Sequence, residues 1–263
     1  MTFFGTAPEN AFPMGFTRDT GVVVGDYVAT LPDAVAWING GAEAALTGPF
    51  AGFVTGGRSA LACSADGSVV VGKADTADGN HAFRWTAAQG YQDLGVFPGG
   101  TLSVAWDVSP DGAVIVGSST DGTGAQRPFR WTAAGGMVQI ATPSNVVGAI
   151  AYGVSADGAT IVGTCWTSSS STISPSPNAF LWRQQSGFVV LPSYLLGLGV
   201  MTNFGLMDAQ AVSDDGQVIV GNGSYRAAGV DYYQGYMVRL AGAPPLCPAD
   251  LARRAGKSAM TGR

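Results

Sequence analysis

Apolar positions come along most of the chain in short runs of two or three, each ending on a glycine and entered through an Asp-Gly step. Val69–Val71 follows Ser64-Ala-Asp-Gly-Ser, Val114–Val116 follows Ser109-Pro-Asp-Gly-Ala, Ile161-Val162 follows Ser155-Ala-Asp-Gly-Ala-Thr, and Val218–Val220 follows Ser213-Asp-Asp-Gly-Gln. A short β-branched run bounded in this way predicts a strand buried on both faces, entered through a hairpin turn of type I′. A second pattern follows each run: Asp33-Ala-Val-Ala-Trp37, His81-Ala-Phe-Arg-Trp85, Arg127-Pro-Phe-Arg-Trp131, Asn178-Ala-Phe-Leu-Trp182 and Gln234-Gly-Tyr-Met-Val238. Its alternation predicts a strand with one apolar face, such as Phe129 and Trp131 opposite Arg130. In the third unit, Ser103–Ser109, Val114–Val116, Pro128–Thr132 and Met137–Ile140 read as four strands in succession.

The first pattern also occurs in degenerate form at Thr17–Gly25, where Thr20 replaces the glycine. Asp19, Asp66, Asp111, Asp157 and Asp215 therefore recur at a period of about 46 residues, the last interval being longer. Five four-stranded units in one order predict an all-β chain, a five-bladed β-propeller of antiparallel blades over residues 1–242. A solenoid of stacked units is the alternative, but it needs polar caps, and no cap-like segment shows at the N-terminal end. The fifth unit runs into Pro244, Pro245 and Pro248, which cannot sustain a ladder. Thr2–Gly5 is expected to supply the missing strand, pairing around Gly235–Leu240 and so protecting both sheet edges.

Composition narrows the function classes. The 263 residues include 39 Gly and 14 Pro, 46% are hydrophobic and only 12% charged, which excludes disorder and helix bundles. The net charge of -5 gives no reason to expect nucleic acid. Cys63, Cys165 and Cys247 lack metal-like spacing, and Cys63 and Cys165 fall in different units, so no bridge between them is expected. Residues 1–25 show no basic segment followed by an apolar one, so no signal peptide is read there. Ser186–Met207 is uncharged and apolar, but its Pro192 and glycines favour a strand followed by a loop over a membrane span.

His81-Ala82-Phe83, with Arg84-Trp85 behind it and the Ser-x-Asp-Gly pattern ahead of it, resembles the HAF repeat. Bacterial and phage proteins carrying that repeat are often labelled probable extracellular repeats. The resemblance covers about residues 10–242, although only one unit spells His-Ala-Phe in full. It implies an exported or surface-facing, WD-like β-propeller and carries over no catalytic residue.

Each candidate residue has a structural reading beside the functional one. His81 aligns with Asp33, Arg127, Asn178 and Gln234, a polar column suited to satisfying a loop carbonyl; no partners are spaced to form a triad with it. The recurring aspartates could gather a cation around a channel, but turn chemistry is the simpler reading. Trp37, Trp85, Trp131 and Trp182 read as core between blades instead of sugar platforms. Trp106 and Trp166 fall outside that column and are freer to serve a surface. The insertion Ser193–Asp208 carries Leu195, Leu196, Leu198, Met201 and Phe204; it either folds back over the blades or forms a contact patch for a partner. Residues 243–263 form a basic tail in which Arg253, Arg254 and Lys257 reverse the charge of the body, and Cys247 is placed for an intermolecular bridge. The expectation is a non-enzymatic structural or adhesive module with no cofactor and no metal. It would sit on a virion or in an extracellular setting and bind a protein partner or other copies of itself. The alternative is a secreted propeller that binds or cleaves glycans.

Overall fold

Each Ser-x-Asp-Gly segment folds as a closed loop fixed by its own side chains. In the third unit Gly112 N–H donates to Ser109 O (2.8 Å) and Ser109 N–H to Val114 O (2.8 Å). Gly112 takes φ 72°, whereas no aspartate of these loops has a positive φ. The turn is therefore not type I′ as the Asp-Gly step suggested, since that type needs positive φ at both central residues. The glycine alone carries the left-handed conformation, after the tight turn. The two-residue type I′ geometry occurs elsewhere, at Ala228-Gly229 (φ 49° and 83°) between Ala227 and Val230.

The computed structural model describes residues 11–16, 22–28, 32–38, 43–46, 57–168, 176–200 and 204–240. Five four-stranded antiparallel sheets follow one another along these residues. The first holds β1 (Ala11–Phe16), β2 (Val22–Val28), β3 (Pro32–Ile38) and β4 (Glu43–Ala45). The second holds β5 (Ser59–Cys63), β6 (Val70–Thr76), β7 (Gly79–Thr86) and β8 (Gly90–Asp93). The third holds β9 (Ser103–Val108), β10 (Val114–Thr120), β11 (Gln126–Thr132) and β12 (Gly136–Gln139). The fourth holds β13 (Val146–Val154), β14 (Thr160–Thr167), β15 (Ser176–Arg183) and β16 (Gly187–Val190), followed by the helix α1 (Leu191–Gly197). The fifth holds β17 (Gly205–Leu206), β18 (Ala211–Val212), β19 (Val218–Ala227) and β20 (Val230–Arg239). In the first four sheets consecutive strands are neighbours; in the fifth, β17 and β18 are two pieces of one inner strand on β19, and β20 pairs with the other side of β19.

In the second, third and fourth sheets the apolar runs are continuous because the second strand lies between two sheets. Ile115 packs toward Val69, Val71 and Ala82 of the second sheet, whereas Val114 and Val116 pack toward Ala149, Ala151 and Ile161 of the fourth. All seven residues of β10 are buried accordingly. Four such clusters join sheet one to two, two to three, three to four and four to five. Phe83, Phe129 and Phe180 of the second motif are fully buried, and Trp131 is buried with them, while Trp85 and Trp182 pack on the cores partly exposed. The glycine ending each run is a steric requirement. A Cβ on Gly117 would lie 1.9 Å from Val104 O, and one on Gly163 1.9 Å from Ile150 O. Close to that contact the inner strand bulges, with register shifts that leave out Met14, Leu61, Trp106 and Tyr152.

Sheets are also tied through their loops. Ala65 N–H donates to Pro110 O (2.9 Å), and Ala156 N–H to Asp214 O (3.0 Å). Pro110 has no N–H with which to continue that series to the fourth sheet. There the link is made by side chains: Val154 N–H to Asp107 Oδ2 (3.1 Å) and Arg130 Nε–H to Gly158 O (3.2 Å).

The segment Ser186–Met207 departs from a strand followed by a loop. After β16 the chain enters α1, with Pro192 in its first turn and Leu191 and Leu195 buried on one side. Proline is tolerated there because first-turn N–H groups have no helical acceptor. No disulfide joins Cys63 to Cys165, which is buried in the fourth sheet. Thr2–Gly5, Asp19, Met201 and residues 243–263, with Cys247, Arg253, Arg254 and Lys257, lie outside the described residues.

Candidate functional site

The recurring aspartates serve the loops in which they sit. Ser109 Oγ–H donates to Asp111 Oδ1 (2.6 Å), which also accepts Ala113 N–H (3.0 Å), while Ser109 Oγ accepts Val114 N–H (2.9 Å). Ser155, Asp157, Ala159 and Thr160 repeat the pattern, as do Ser64, Asp66, Ser68 and Val69, and Ser213, Asp215, Gln217 and Val218. These donors favour the charged carboxylate. The Ser64 hydroxyl, with Ser68 behind it, holds Asp66 down at about 2, and the Ser109 and Ser155 hydroxyls lower Asp111 and Asp157. Among the described residues no group of three or more His, Cys, Asp or Glu is placed to hold a metal ion.

The column of His81 is likewise occupied by local contacts, with a carboxylate at His81 and Arg127 and a carbonyl at Asn178. His81 Nδ1 lies 2.9 Å from Asp93 Oδ2, and Asp93 Oδ1 accepts Gly95 N–H (2.7 Å). The aligned Arg127 donates from Nε to Asp121 Oδ2 (2.7 Å), and Asn178 donates to Ser176 O (3.0 Å). His81 thus ties the third strand to the end of the fourth, Arg127 ties it to the loop before it, and Asn178 bonds within its own strand.

The insertion before the fifth sheet combines the two expected behaviours. Leu191, Leu195 and Leu206 are buried in the cluster shared by the fourth and fifth sheets, and Phe204 packs against it, its ring 6.3 Å from those of Tyr225 and Tyr236. Above this anchored base, Leu196, Leu198 and Val200 are 59%, 58% and 47% exposed. Sequence alone placed Leu195 and Phe204 in one set with Leu196 and Leu198; the fold turns the first two inward and the others out. Val200, another apolar residue of the same insertion, belongs with the exposed set. The signal that separates them is the four-residue spacing of Leu191 and Leu195 within one helical turn.

Beside this base, Tyr236 Oη–H donates to Asp208 O (2.6 Å), and Asp208 Oδ1 accepts Asn222 N–H (2.9 Å). Burial, then the Asp208 charge, pushes up the pKa of the hydroxyls of both Tyr236 and Tyr152. Tyr152 meets Trp106 edge to face, ring centroids 5.5 Å apart, so two neighbouring bulges carry an aromatic pair across the joint between sheets three and four.

Among the described residues no helix is long and apolar enough to cross a membrane. No protein-family model matches the chain, and no curated protein sequence matches it. Among solved structures, TolB from Acinetobacter baumannii is similar to this chain with TM-score 0.55 at 16% identity, over 86% of this chain and 51% of that one. A TolB-type protein from Agrobacterium tumefaciens is similar with TM-score 0.51 at 13% identity, over 86% of this chain and 77% of that one. The chain thus spans about half the length of the Acinetobacter protein. At these identities the likeness is one of fold, an all-β, TolB-like β-propeller architecture.

Proposed function

We propose that the chain is a non-enzymatic propeller that docks a protein partner, its five sheets closed into a ring by an N-terminal strand on the outer edge of β20. The observation that carries the docking role is the exposed apolar run Leu196, Leu198 and Val200, held on a buried base at an insertion in the repeat. Apolar residues displayed together on a fixed support are what a partner's apolar patch can bury. One feature supports a non-catalytic role: the repeated carboxylates are engaged in turn hydrogen bonds. Ring closure is supported by β20, which pairs only with β19 among the described residues, where the third strand of every other sheet has a fourth beside it. The HAF resemblance favours a surface-exposed setting such as a phage capsid or tail, with the basic residues 243–263 as a second attachment.

The test is a Leu196→Asp/Leu198→Asp chain compared with the parent for incorporation into particles purified from the source and quantified by mass spectrometry. Loss of incorporation with an unchanged thermal transition is the expected result. Full incorporation overturns docking through this patch, and a parent chain absent from the particles overturns the virion setting. A hydrolase screen on the parent chain tests the enzymatic alternative.

A further inference from the structure

The joint between sheets three and four differs from the preceding joint at three neighbouring positions, and together they make a cleft. At the preceding joint the corresponding space is about 90 Å³, lined by Lys73, Asn80, Gln126, polar groups of Ser118 to Thr120, and Leu102. Leu102 lies opposite Thr120 there, and its N–H donates to Thr120 Oγ1 (3.1 Å). One sheet later, the pair opposite each other is Gly148 and Trp166. Glycine also stands at this place in the fifth sheet, where Gly205 lies opposite Ser224, so the leucine is particular to the preceding joint and the indole is what is new here. The fourth sheet also has a second register shift, between Val146 and Gly148, that the inner strands of the first three sheets lack; it throws out Val147, which is 40% exposed. The result is an open cleft of about 290 Å³ lined by Gln126, Val147, Gly148 and Trp166.

The repeat does not require the indole. The aligned positions of the second and third sheets, Asp75 and Thr120, are polar, so the repeat folds without an aromatic there. Burial is not the reason for Trp166 either, since it remains partly exposed.

The geometry points to a binding site for the pyranose ring of a neutral sugar. A pyranose presents one face of C–H groups and a rim of hydroxyls. The indole of Trp166 and the side chain of Val147 offer an apolar plate for the first, and the Gln126 amide, with a donor and an acceptor end, suits the second. The lining carries no charge, which disfavours anionic ligands, and the volume lies below that of pockets for drug-sized molecules and suits a single ring. The site stands independently of the docking role of Leu196 and Leu198.

Two substitutions separate the site from the fold. Trp166→Ala removes the plate. Gly148→Leu restores the residue type of the preceding joint and fills the cleft; its Cβ would sit 3.4 Å from Trp166 Cε3 and 3.5 Å from Gln126 O, ordinary contacts. Methyl glycosides of glucose, galactose, mannose and N-acetylglucosamine are titrated against the full chain by saturation-transfer NMR, with a proline-rich peptide as a competing ligand class. At least one glycoside is expected to bind. Trp166→Ala should weaken it by roughly 30-fold, the scale of a tryptophan hot spot. Gly148→Leu should abolish binding, and both variants should keep the parent's thermal transition. Absence of binding by all four glycosides, with or without binding of the peptide, overturns the proposal. So does undiminished glycoside binding in either variant.

Discussion

Replacing Ser155 by alanine removes a buried hydroxyl that both donates to Asp157 Oδ1 (2.5 Å) and accepts Thr160 N–H (2.9 Å). The Thr160 amide is left without that acceptor, so Ser155→Ala should cost about 1–3 kcal/mol in urea unfolding. Ala228 calls for the opposite change. It is the one non-glycine among the described residues with a positive φ (49°), at a turn that favours Asn-Gly. Ala228→Asn should raise stability by about 0.5–1 kcal/mol in the same assay, because asparagine tolerates the left-handed region better than alanine. Burial pushes the Cys165 thiol up to about 12, so at pH 8 it should resist alkylation in the folded chain and react fully in urea. These effects are local, and their residue types were visible in the repeat. The turn type was not, because Asp-Gly suits both a type I′ turn and a turn followed by a left-handed glycine, and only the hydrogen-bond geometry separates them.

The elements differ in how far sequence pattern located them. Strands bounded by Asp-Gly and Gly-Gly fell where alternation and glycine put them, since in sheets two to four both faces of the second strand are fixed by neighbouring sheets. The helix α1 was missed because Pro192 and Gly197 read as breakers, although proline is compatible with a first turn. Its two sides should respond differently to mutation. Leu191→Ala deletes a fully buried side chain and should cost about 2–5 kcal/mol. Leu196→Asp changes a residue 59% exposed and should stay within about 0.5 kcal/mol of the parent. Equal destabilisation by the two in urea titrations would show that the exposed side of the helix packs on the chain after all.

Acid should destabilise the whole molecule through its repeated turns. Asp66 is lowered from 3.8 to about 2, and Asp111 and Asp157 are lowered as well. A carboxyl whose pKa is lower folded than unfolded binds more protons in the unfolded state as pH falls. Its stabilising contribution is complete above the unfolded value and is lost as pH drops through the folded one. Thermal midpoints should therefore fall between about pH 4 and pH 2, and an Asp66→Asn/Asp111→Asn/Asp157→Asn chain should show a shallower fall over that window. The three carboxylates are largely exposed, so solvent screening keeps each contribution small. Ring closure belongs to the same scale. Deleting residues 1–10 should lower the thermal midpoint by several degrees if a terminal strand covers β20, whereas truncation after Gly242 should leave it within a few degrees of the parent.

Sequence by itself determined the repeat: the all-β class, the four-strand unit, the doubly buried second strands and the serine–aspartate loops. Each depends on contacts within a few residues or on a period that every unit shares, so local chemistry and repetition suffice to specify them. Tertiary structure decided what depends on one unit meeting the next. It turned Leu195 and Phe204 inward and left Leu196 and Leu198 outside, because the core between sheets four and five has room for only one side of the insertion. It brought Trp166, Gln126 and Val147 to one cleft across a sheet boundary, although Gln126 lies far from the other two in sequence. It set the alignment of adjacent sheets at the loop glycines: a Cβ on Gly112 would come within 2.6 Å of Val69, and one on Gly158 within 2.5 Å of Val114. Those distances arise from packing between units, where a residue's partner is chosen by the shape of the neighbouring sheet instead of by its place in the chain.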